Sequence, residues 1–212
     1  MFRGFSGTSV VVVNASTGEG EKSIPLPVQG SPVSLYWALA ITPAGDRIYA
    51  IGSGYTSDSM VAIDTSTLTI TATIPGVGGY SLAISPSGDA VYVGTNLAID
   101  VVQTASNTVT GSIPMASVFA ITFSPDGTHA YAGSTYQYPG YAVYVIGTST
   151  LAVTSFIPAK FADGGLAVTP DGTLLYAGGA SPTFQFSALP GSIINTQSLV
   201  SKTAVTLSDY TC

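Results

Sequence analysis

The segment LAISPSGDAVYVGT, residues 82–95, decides the fold, because it reads as two short strands joined by a tight turn. Apolar residues alternate with small or polar ones on both sides of Ser85-Pro86-Ser87-Gly88, which is the pattern of half-buried β-strands. Within the turn, a serine hydroxyl can bond nearby backbone, proline presets φ, and glycine supplies the left-handed conformation that the chain needs to return. The segment therefore predicts an antiparallel hairpin.

The same hairpin occurs four times along the chain, counting the one above. The turns read Ile41-Thr42-Pro43-Ala44-Gly45, Ile84-Ser85-Pro86-Ser87-Gly88, Phe123-Ser124-Pro125-Asp126-Gly127 and Val168-Thr169-Pro170-Asp171-Gly172. Successive turn prolines are 43, 39 and 45 residues apart, and a tyrosine stands six residues after each of them: Tyr49, Tyr92, Tyr131 and Tyr176. A fixed short offset inside a variable period indicates a rigid unit joined by adjustable loops, and the period lies in the range of about 40–50 residues that repeat propellers use.

A second unit alternates with this hairpin, as in VAIDTSTLTITATIPGVG, residues 61–78. β-Branched residues at every second position predict strands. The Asp-Thr-Ser-Thr stretch suits a turn, and the proline that follows the last strand cannot donate to a ladder, which fits an outer edge. This unit places Asp64 at or near the turn, and the next copy does the same for Asp100. Further copies lie near both ends of the chain.

These units predict an all-β fold, a β-propeller of four-stranded antiparallel blades in a single domain spanning residues 1–212. Four complete repeats follow an N-terminal outer strand pair, which gives about five blades. The expected boundaries are 9–34 for the half blade, then 35–77, 78–116, 117–160 and 161–205 for the repeats. Three explanations of the uneven count stay open: a piece of a larger propeller, a compact five-bladed ring with a short last blade, or an open edge that pairs with another chain.

The residues of both units resemble the YVTN-type β-propeller repeat. The matching stretches are LAISPSGDAVYVGT and VAIDTSTLTITATIPGVG, and the similarity extends over roughly residues 9–205. The name-giving Thr-Asn is replaced by IG, GT, GS and GG in the four copies, a departure at one loop position. The resemblance implies a propeller of the kind often found in secreted or surface proteins of bacteria and archaea, and it implies no single activity.

Composition narrows the class of partner. Hydrophobic residues make up 46% of the chain and charged residues 8%, as in a chain packed nearly throughout. The net charge is −6 and the five basic residues are scattered, so nucleic acid is not an expected partner. No apolar run approaches the ~18 residues of a membrane span, and Val10 to Val13 is shorter than the ~7–15 residues of a signal-peptide core. Richness in Ser, Thr, Gly and Tyr with little Lys favours a secreted or surface protein.

Candidate binding residues lie in the loops that enter the first strand of each repeat and in those that leave the second. Aromatic residues gathered there would bury a large area at low entropic cost, which suits a protein or glycan partner. The candidates are Tyr36, Trp37, Tyr80, Phe119 and Phe161 in the entering loops, with Asp163, and Tyr55, Asp58, Tyr136 and Tyr138 in the leaving loops.

Chemically active residues are few. His129 is the single histidine and has no second histidine with which to share a metal. Asp126 and Asp171 are explained as turn formers. An alternative reading, a metal-dependent lactonase-like or lyase-like propeller enzyme, would need several ligands at one mouth, and its candidates are Asp58, Asn96, Asp163 and His129.

The expected function is therefore a non-enzymatic secreted or surface scaffold that binds a protein or glycan partner through its aromatic loop face. No catalytic residue, metal or cofactor is assigned. The alternatives are the metal-dependent enzyme and a structural repeat module of a longer surface protein. An open blade edge would in addition let chains associate.

Overall fold

The computed structural model describes residues 9–26, 33–54, 58–134, 142–159, 164–178, 191–198 and 200–205. For 33–37, 52–54, 191–192 and 200–205 it describes the backbone alone. These residues form strands and turns, without a helix among them. Among the described residues, no helix reaches the length and apolarity needed to cross a membrane.

The strands form antiparallel sheets in chain order. A two-stranded pair contains β1 (Ser9–Val13) and β2 (Gly20–Pro25). Sheet I contains β3 (Val33–Ile41), β4 (Arg47–Gly54), β5 (Ser59–Asp64) and β6 (Thr69–Pro75). Sheet II contains β7 (Ser81–Ile84), β8 (Ala90–Gly94), β9 (Ala98–Gln103) and β10 (Thr108–Pro114). Sheet III contains β11 (Val118–Phe123), β12 (His129–Ser134), β13 (Ala142–Gly147) and β14 (Ala152–Pro158). Sheet IV contains β15 (Gly165–Val168), β16 (Leu174–Gly178), β17 (Gly191–Asn195) and β18 (Val200–Val205). The predicted four-stranded antiparallel sheets are confirmed.

The Pro-Gly turn joins the first and second strands of each sheet as predicted. In sheet II the Gly88 N–H donates to the Ser85 carbonyl at 2.8 Å, and Gly88 has a φ of 78°. A side chain at that φ would be strained, which explains the glycine. The Ser85 hydroxyl accepts the Ala90 N–H at 3.1 Å, so the serine also fixes the start of the next strand.

The outer turn, between the third and fourth strands, is held by a side-chain cap. In sheet I, Asp64 Oδ1 accepts the N–H groups of Ser66 and Thr67 at 2.9 and 2.8 Å. The Thr65 hydroxyl donates to the Gly45 carbonyl at 2.7 Å and ties the outer turn to the Pro-Gly turn of the same sheet. The prediction that Asp100 lies at or near a turn is wrong. Asp100 lies within β9 and accepts the Ser112 hydroxyl at 2.9 Å, because this copy places Gln103 where the strand ends.

Neighbouring sheets lie side by side and approach most closely at their first strands. β7 lies next to β3 and β11, and β11 lies next to β15. The glycine of each Pro-Gly turn lies next to the proline of the turn in the preceding sheet: a Cβ on Gly88 would lie 3.4 Å from Pro43 Cδ, and one on Gly127 would lie 3.6 Å from Pro86 Cδ. Successive sheets therefore repeat one orientation, and the arrangement is propeller-like.

The hydrophobic core lies between the sheets. Tyr49, Tyr92 and Tyr131 are buried, and each packs in an apolar cluster shared with the following sheet. Tyr176, at the equivalent position of sheet IV, is 45% exposed. The repeat position thus directs the ring towards the next sheet, and the neighbour decides whether the ring is buried.

Candidate binding face

The loop face contains the connections that precede the first strand and follow the second strand of each sheet. Trp37, Tyr80, Phe119 and Gly164 stand six residues before the four turn prolines, at equivalent positions. Tyr80 and Gly164 lie in the loops just before β7 and β15, whereas Trp37 lies within β3 and Phe119 within β11, so the prediction that these two lie in loops is wrong. Trp37 pairs with Gly52, and the Tyr80 N–H donates to the Gly94 carbonyl at 2.8 Å. The aromatic candidates Trp37, Tyr80 and Phe119 are therefore repeats of one position. The offset to the proline carries this information, which the sequence analysis did not use.

Tyr80 and Phe119 bring their rings together across the junction of sheets II and III. The ring centroids are 4.9 Å apart with an interplanar angle of 31°, and both side chains are half-buried. Such a ring contact stabilises the fold by about 0.5–1.5 kcal/mol in addition to the free energy gained from the buried area. The Ser81 hydroxyl donates to the Val118 carbonyl at 3.1 Å and joins the first strands of the same two sheets. Tyr80 and Phe119 thus form a fixed pair of rings, called the aromatic platform below.

The loops beside the aromatic platform are packed against one another. The Ser117 hydroxyl donates to Asn96 Oδ1 at 3.0 Å, and the Ser117 N–H donates to the Asn96 carbonyl at 2.9 Å. Ser117 adopts a left-handed φ of 49° to make these contacts. Leu97, at the tip of the same loop, is 79% exposed. The platform is therefore bordered by a hydrogen-bonded loop that exposes the Asn96 amide and the Leu97 side chain, whereas Ser117 is buried beneath it.

Asp58 is fixed on the same face by the loop that leads from sheet I to sheet II. Its carbonyl accepts the Gly76 N–H at 2.9 Å, and a Cβ on Gly78 would lie 2.6 Å from Asp58 Cβ. The Asp58 side chain is exposed. Asp58 is a charged side chain among the described residues of the loop face.

The remaining predicted binding residues are placed less fully. Tyr36 lies within β3, where the backbone alone is described. The predictions for Tyr55, Tyr136, Tyr138, Phe161 and Asp163 lie outside the described residues. Of the predicted set, the structure brings Tyr80 and Phe119 into contact and holds Asp58 in a neighbouring loop.

The candidate metal ligands lie at opposite ends of their sheets. Asn96 and Asp58 are on the loop face, whereas His129 begins β12 beside a Pro-Gly turn and contacts the Thr128 hydroxyl through Nδ1 at 2.8 Å. Asp163 lies outside the described residues. Within the described parts of the chain, no three His, Cys, Asp or Glu side chains are grouped so that they could hold a metal ion.

A cleft of about 290 Å³ lies at the other end of the molecule, between the Pro-Gly turns of sheets I and II. Arg47 lines it and donates to the Thr104 carbonyl at 2.8 Å and to the Tyr49 hydroxyl at 3.1 Å. The hydrogen bond with Tyr49 raises the pKa of Arg47. The guanidinium therefore joins the two sheets, and the cleft is remote from the aromatic platform.

Comparison with known proteins establishes the fold and no family. No family model and no curated protein matches the chain. A solved structure of Kuenenia stuttgartiensis hydrazine synthase is similar with a TM-score of 0.74 and 23% identity, over 95% of this chain and 61% of that chain. A functionally unknown protein from Desulfotomaculum acetoxidans DSM 771 is similar with a TM-score of 0.70 and 17% identity, over 93% of this chain and 62% of that chain. The chain thus spans about three fifths of the length of each of these two chains.

Proposed function

We propose that this chain is a non-enzymatic β-propeller scaffold of the YVTN repeat type, secreted or displayed on a cell surface, that binds a protein or glycan partner through its loop face. The observation that carries the proposal is the aromatic platform. Two equivalent repeat positions bring Tyr80 and Phe119 into ring contact at the junction of two sheets, with both side chains half-buried. Partly accessible aromatic rings in fixed positions are typical anchors of binding sites.

The propeller architecture supports this assignment of the binding face. Sheets I to IV supply four complete blades, and the β1–β2 pair supplies the outer half of a fifth. In a propeller the loop face surrounds the mouth of the central channel, and the first strand of each blade lies nearest to the axis. Tyr80 and Phe119 stand at the start of such first strands, so they would line this mouth.

The chemistry of the loop face favours a ligand with apolar ring or side-chain surface and little charge. An aromatic ring offers a flat apolar surface on which a sugar ring or an apolar peptide side chain can stack. The neighbouring Asn96 side chain, which is exposed and held by the Ser117 hydroxyl, supplies a polar group at the border. The exposed carboxylate of Asp58 on the same face disfavours a strongly anionic ligand. The resemblance to the YVTN repeat and the composition support the proposed secreted or surface location.

Alanine variants of the aromatic platform test the proposal. A glycan array and a panel of purified extracellular-matrix and cell-surface proteins would be screened with the intact chain, and affinity for any hit measured by calorimetry. Tyr80→Ala and Phe119→Ala should each weaken binding at least tenfold, which corresponds to about 1.4 kcal/mol. Phe156→Ala is the matched control, because this ring is 47% exposed on β14, away from the loop face.

Two results would contradict the proposal. One is a bound ligand whose affinity is equal in the parent chain and in both platform variants. The other is silence in both screens from protein that is folded by circular dichroism. An effect of Phe156→Ala as large as that of the platform variants would move the binding surface to the outer strands.

A further inference from the structure

The inner part of one face of sheet I is apolar and exposed. Leu39 and Ile41 on β3 are 44% and 53% exposed. They pair with Ala50 and Ile48 of β4, and residues paired across antiparallel strands lie on the same face of a sheet. The β1–β2 pair covers Ala50 and Ile48 in a shared apolar cluster. The covered interface therefore continues into an uncovered part at β3.

The other sheets show what covers these positions. Residues four and two before the turn proline are Leu39 and Ile41 in sheet I, and Ile121 and Phe123 in sheet III. Ile121 and Phe123 are each 9% exposed. The ring of Phe123 meets that of Tyr92 edge-on, with centroids 4.9 Å apart. The cover is thus the inner strand pair of the preceding sheet, with its tyrosine.

The second edge of β1 lies at the same place, and no described strand other than β2 pairs with β1. Asn14 caps the turn after β1 through Oδ1, as Asp64 caps the turn after β5, so β1 corresponds to a third strand. In sheets I to IV the third strand pairs with the second. Among the described strands, β1 pairs with β2 alone. Its sequence, Ser-Val-Val-Val-Val, has neither the charges nor the proline that protect edge strands from pairing.

We propose that the exposed face of β3 and the edge of β1 that pairs with no described strand form one docking site for a partner polypeptide that presents a β-hairpin of the inner-pair type. The hairpin adds to β1 through backbone hydrogen bonds, a recognised mode of peptide capture. A tyrosine placed six residues after its turn proline packs on Leu39 and Ile41, as Tyr92 packs on Phe123. The chemical signature of the partner is therefore a Ser/Thr-Pro-x-Gly turn between short alternating strands, with that tyrosine.

A peptide copied from this chain serves as the probe. A fluorescein-labelled peptide of residues 81–94, the inner pair of sheet II, is titrated with the intact chain and followed by anisotropy. Saturable binding is expected, with at least tenfold weakening by Ile41→Asp in the chain. The same weakening is expected when the tyrosine of the peptide is replaced by serine. Val153→Asp is the matched control, because Val153 is 42% exposed on β14, and it should leave binding unchanged.

A second measurement keeps the proposal testable if Ile41→Asp does not fold. Hydrogen exchange of the Val10 to Val13 amides in the parent chain should slow when the peptide is present. The proposal is overturned if binding is absent, if Ile41→Asp and Val153→Asp behave alike, or if these amides are unaffected. A dimer of the chain that Ile41→Asp disperses, without peptide binding, would assign the face to a second copy instead.

Discussion

Replacement of Gly94 by alanine tests how the aromatic platform is supported. Gly94 ends β8 at the junction of sheets II and III. An added Cβ would overlap Ser81 Oγ and would lie 2.6 Å from the Val118 carbonyl oxygen and 2.7 Å from Val118 Cγ1. The Val118 main chain and its β-branched side chain cannot move away without a large cost in free energy. The two sheets must therefore move apart, or the hydrogen bond between Ser81 and Val118 must break.

The magnitude follows from these two terms. Overpacking in a close-packed interior costs about 1–3 kcal/mol. Loss of the 3.1 Å hydrogen bond between Ser81 and Val118 adds about 0.5–1.5 kcal/mol. The Gly94→Ala variant should therefore lose roughly 2–4 kcal/mol of unfolding free energy, a fall of about 5–15 °C in Tm for a chain of this size.

Gly178 provides the matched control for Gly94→Ala. It ends β16 at the equivalent position of sheet IV, and no described atom lies within 4 Å of its added Cβ. Gly178→Ala should leave Tm unchanged or raise it slightly, since alanine restricts the unfolded chain. Thermal unfolding of the parent and both variants is followed by circular dichroism. A Gly94→Ala protein that melts within about 1 °C of the parent, or equal losses in both variants, would refute this account of sheet packing.

Three further predictions concern hydroxyl ties and titrating groups. Thr104→Val removes the 2.8 Å hydrogen bond from the Thr104 hydroxyl to the Gly88 carbonyl and should lower the free energy of unfolding in urea by about 1–2 kcal/mol. Thr104→Ser keeps a hydroxyl and should retain most of that stability, so equal losses in the two variants would contradict the role of this hydrogen bond. Hydrogen bonds from Ser66 and Thr67 lower the pKa of Asp64 from 3.8 to about 2, so its share of stability is complete above pH 4 and lost as the pH falls to 2; an NMR titration with an unshifted carboxyl would contradict this. Burial raises the pKa of Tyr92, so stability should be present below pH 10 and decline as the pH rises through the raised value; Tyr92→Phe should remove one late-titrating phenolate at 295 nm.

The hairpins could be predicted from sequence because their causes are local. Proline, glycine and a hydroxyl residue at fixed turn positions determine the backbone within a few residues, and Ser85 and Gly88 make the expected bonds. The error at Asp100 shows the limit of this reasoning. The turn-like stretch predicts Asp100 at or near the outer turn, but the position of the turn is set by where the strand ends, and Asp100 lies within β9.

The aromatic platform could be predicted only in part. Tyr80 and Phe119 were found by type, and the repeat offset would have shown that they are equivalent. Their ring contact depends on the spacing between sheets, and that spacing is set by side chains such as Ser81 that look like ordinary strand residues. The hydrogen bond from Thr104 to the Gly88 carbonyl could not be predicted either, because it joins residues 16 positions apart in the chain.

The exposure of the repeated tyrosines depends on whether a neighbouring sheet packs against them, and not on the repeat sequence alone. Tyr92 and Tyr176 occupy the same repeat position, yet one is 2% and the other 45% exposed. In repeat architectures, stability is close to a sum of unit terms and nearest-neighbour interface terms. Tyr80 and Phe119 lie at an interface with sheets on both sides, so fraying at the ends should leave the aromatic platform intact. A hairpin docked on Leu39 and Ile41 supplies a missing interface term and, by mass action, should raise the unfolding free energy as well as bind. Binding at the platform and docking at β1 should therefore respond independently to Tyr80→Ala and Ile41→Asp, and strong coupling between these variants would mean that the two surfaces share one structural unit.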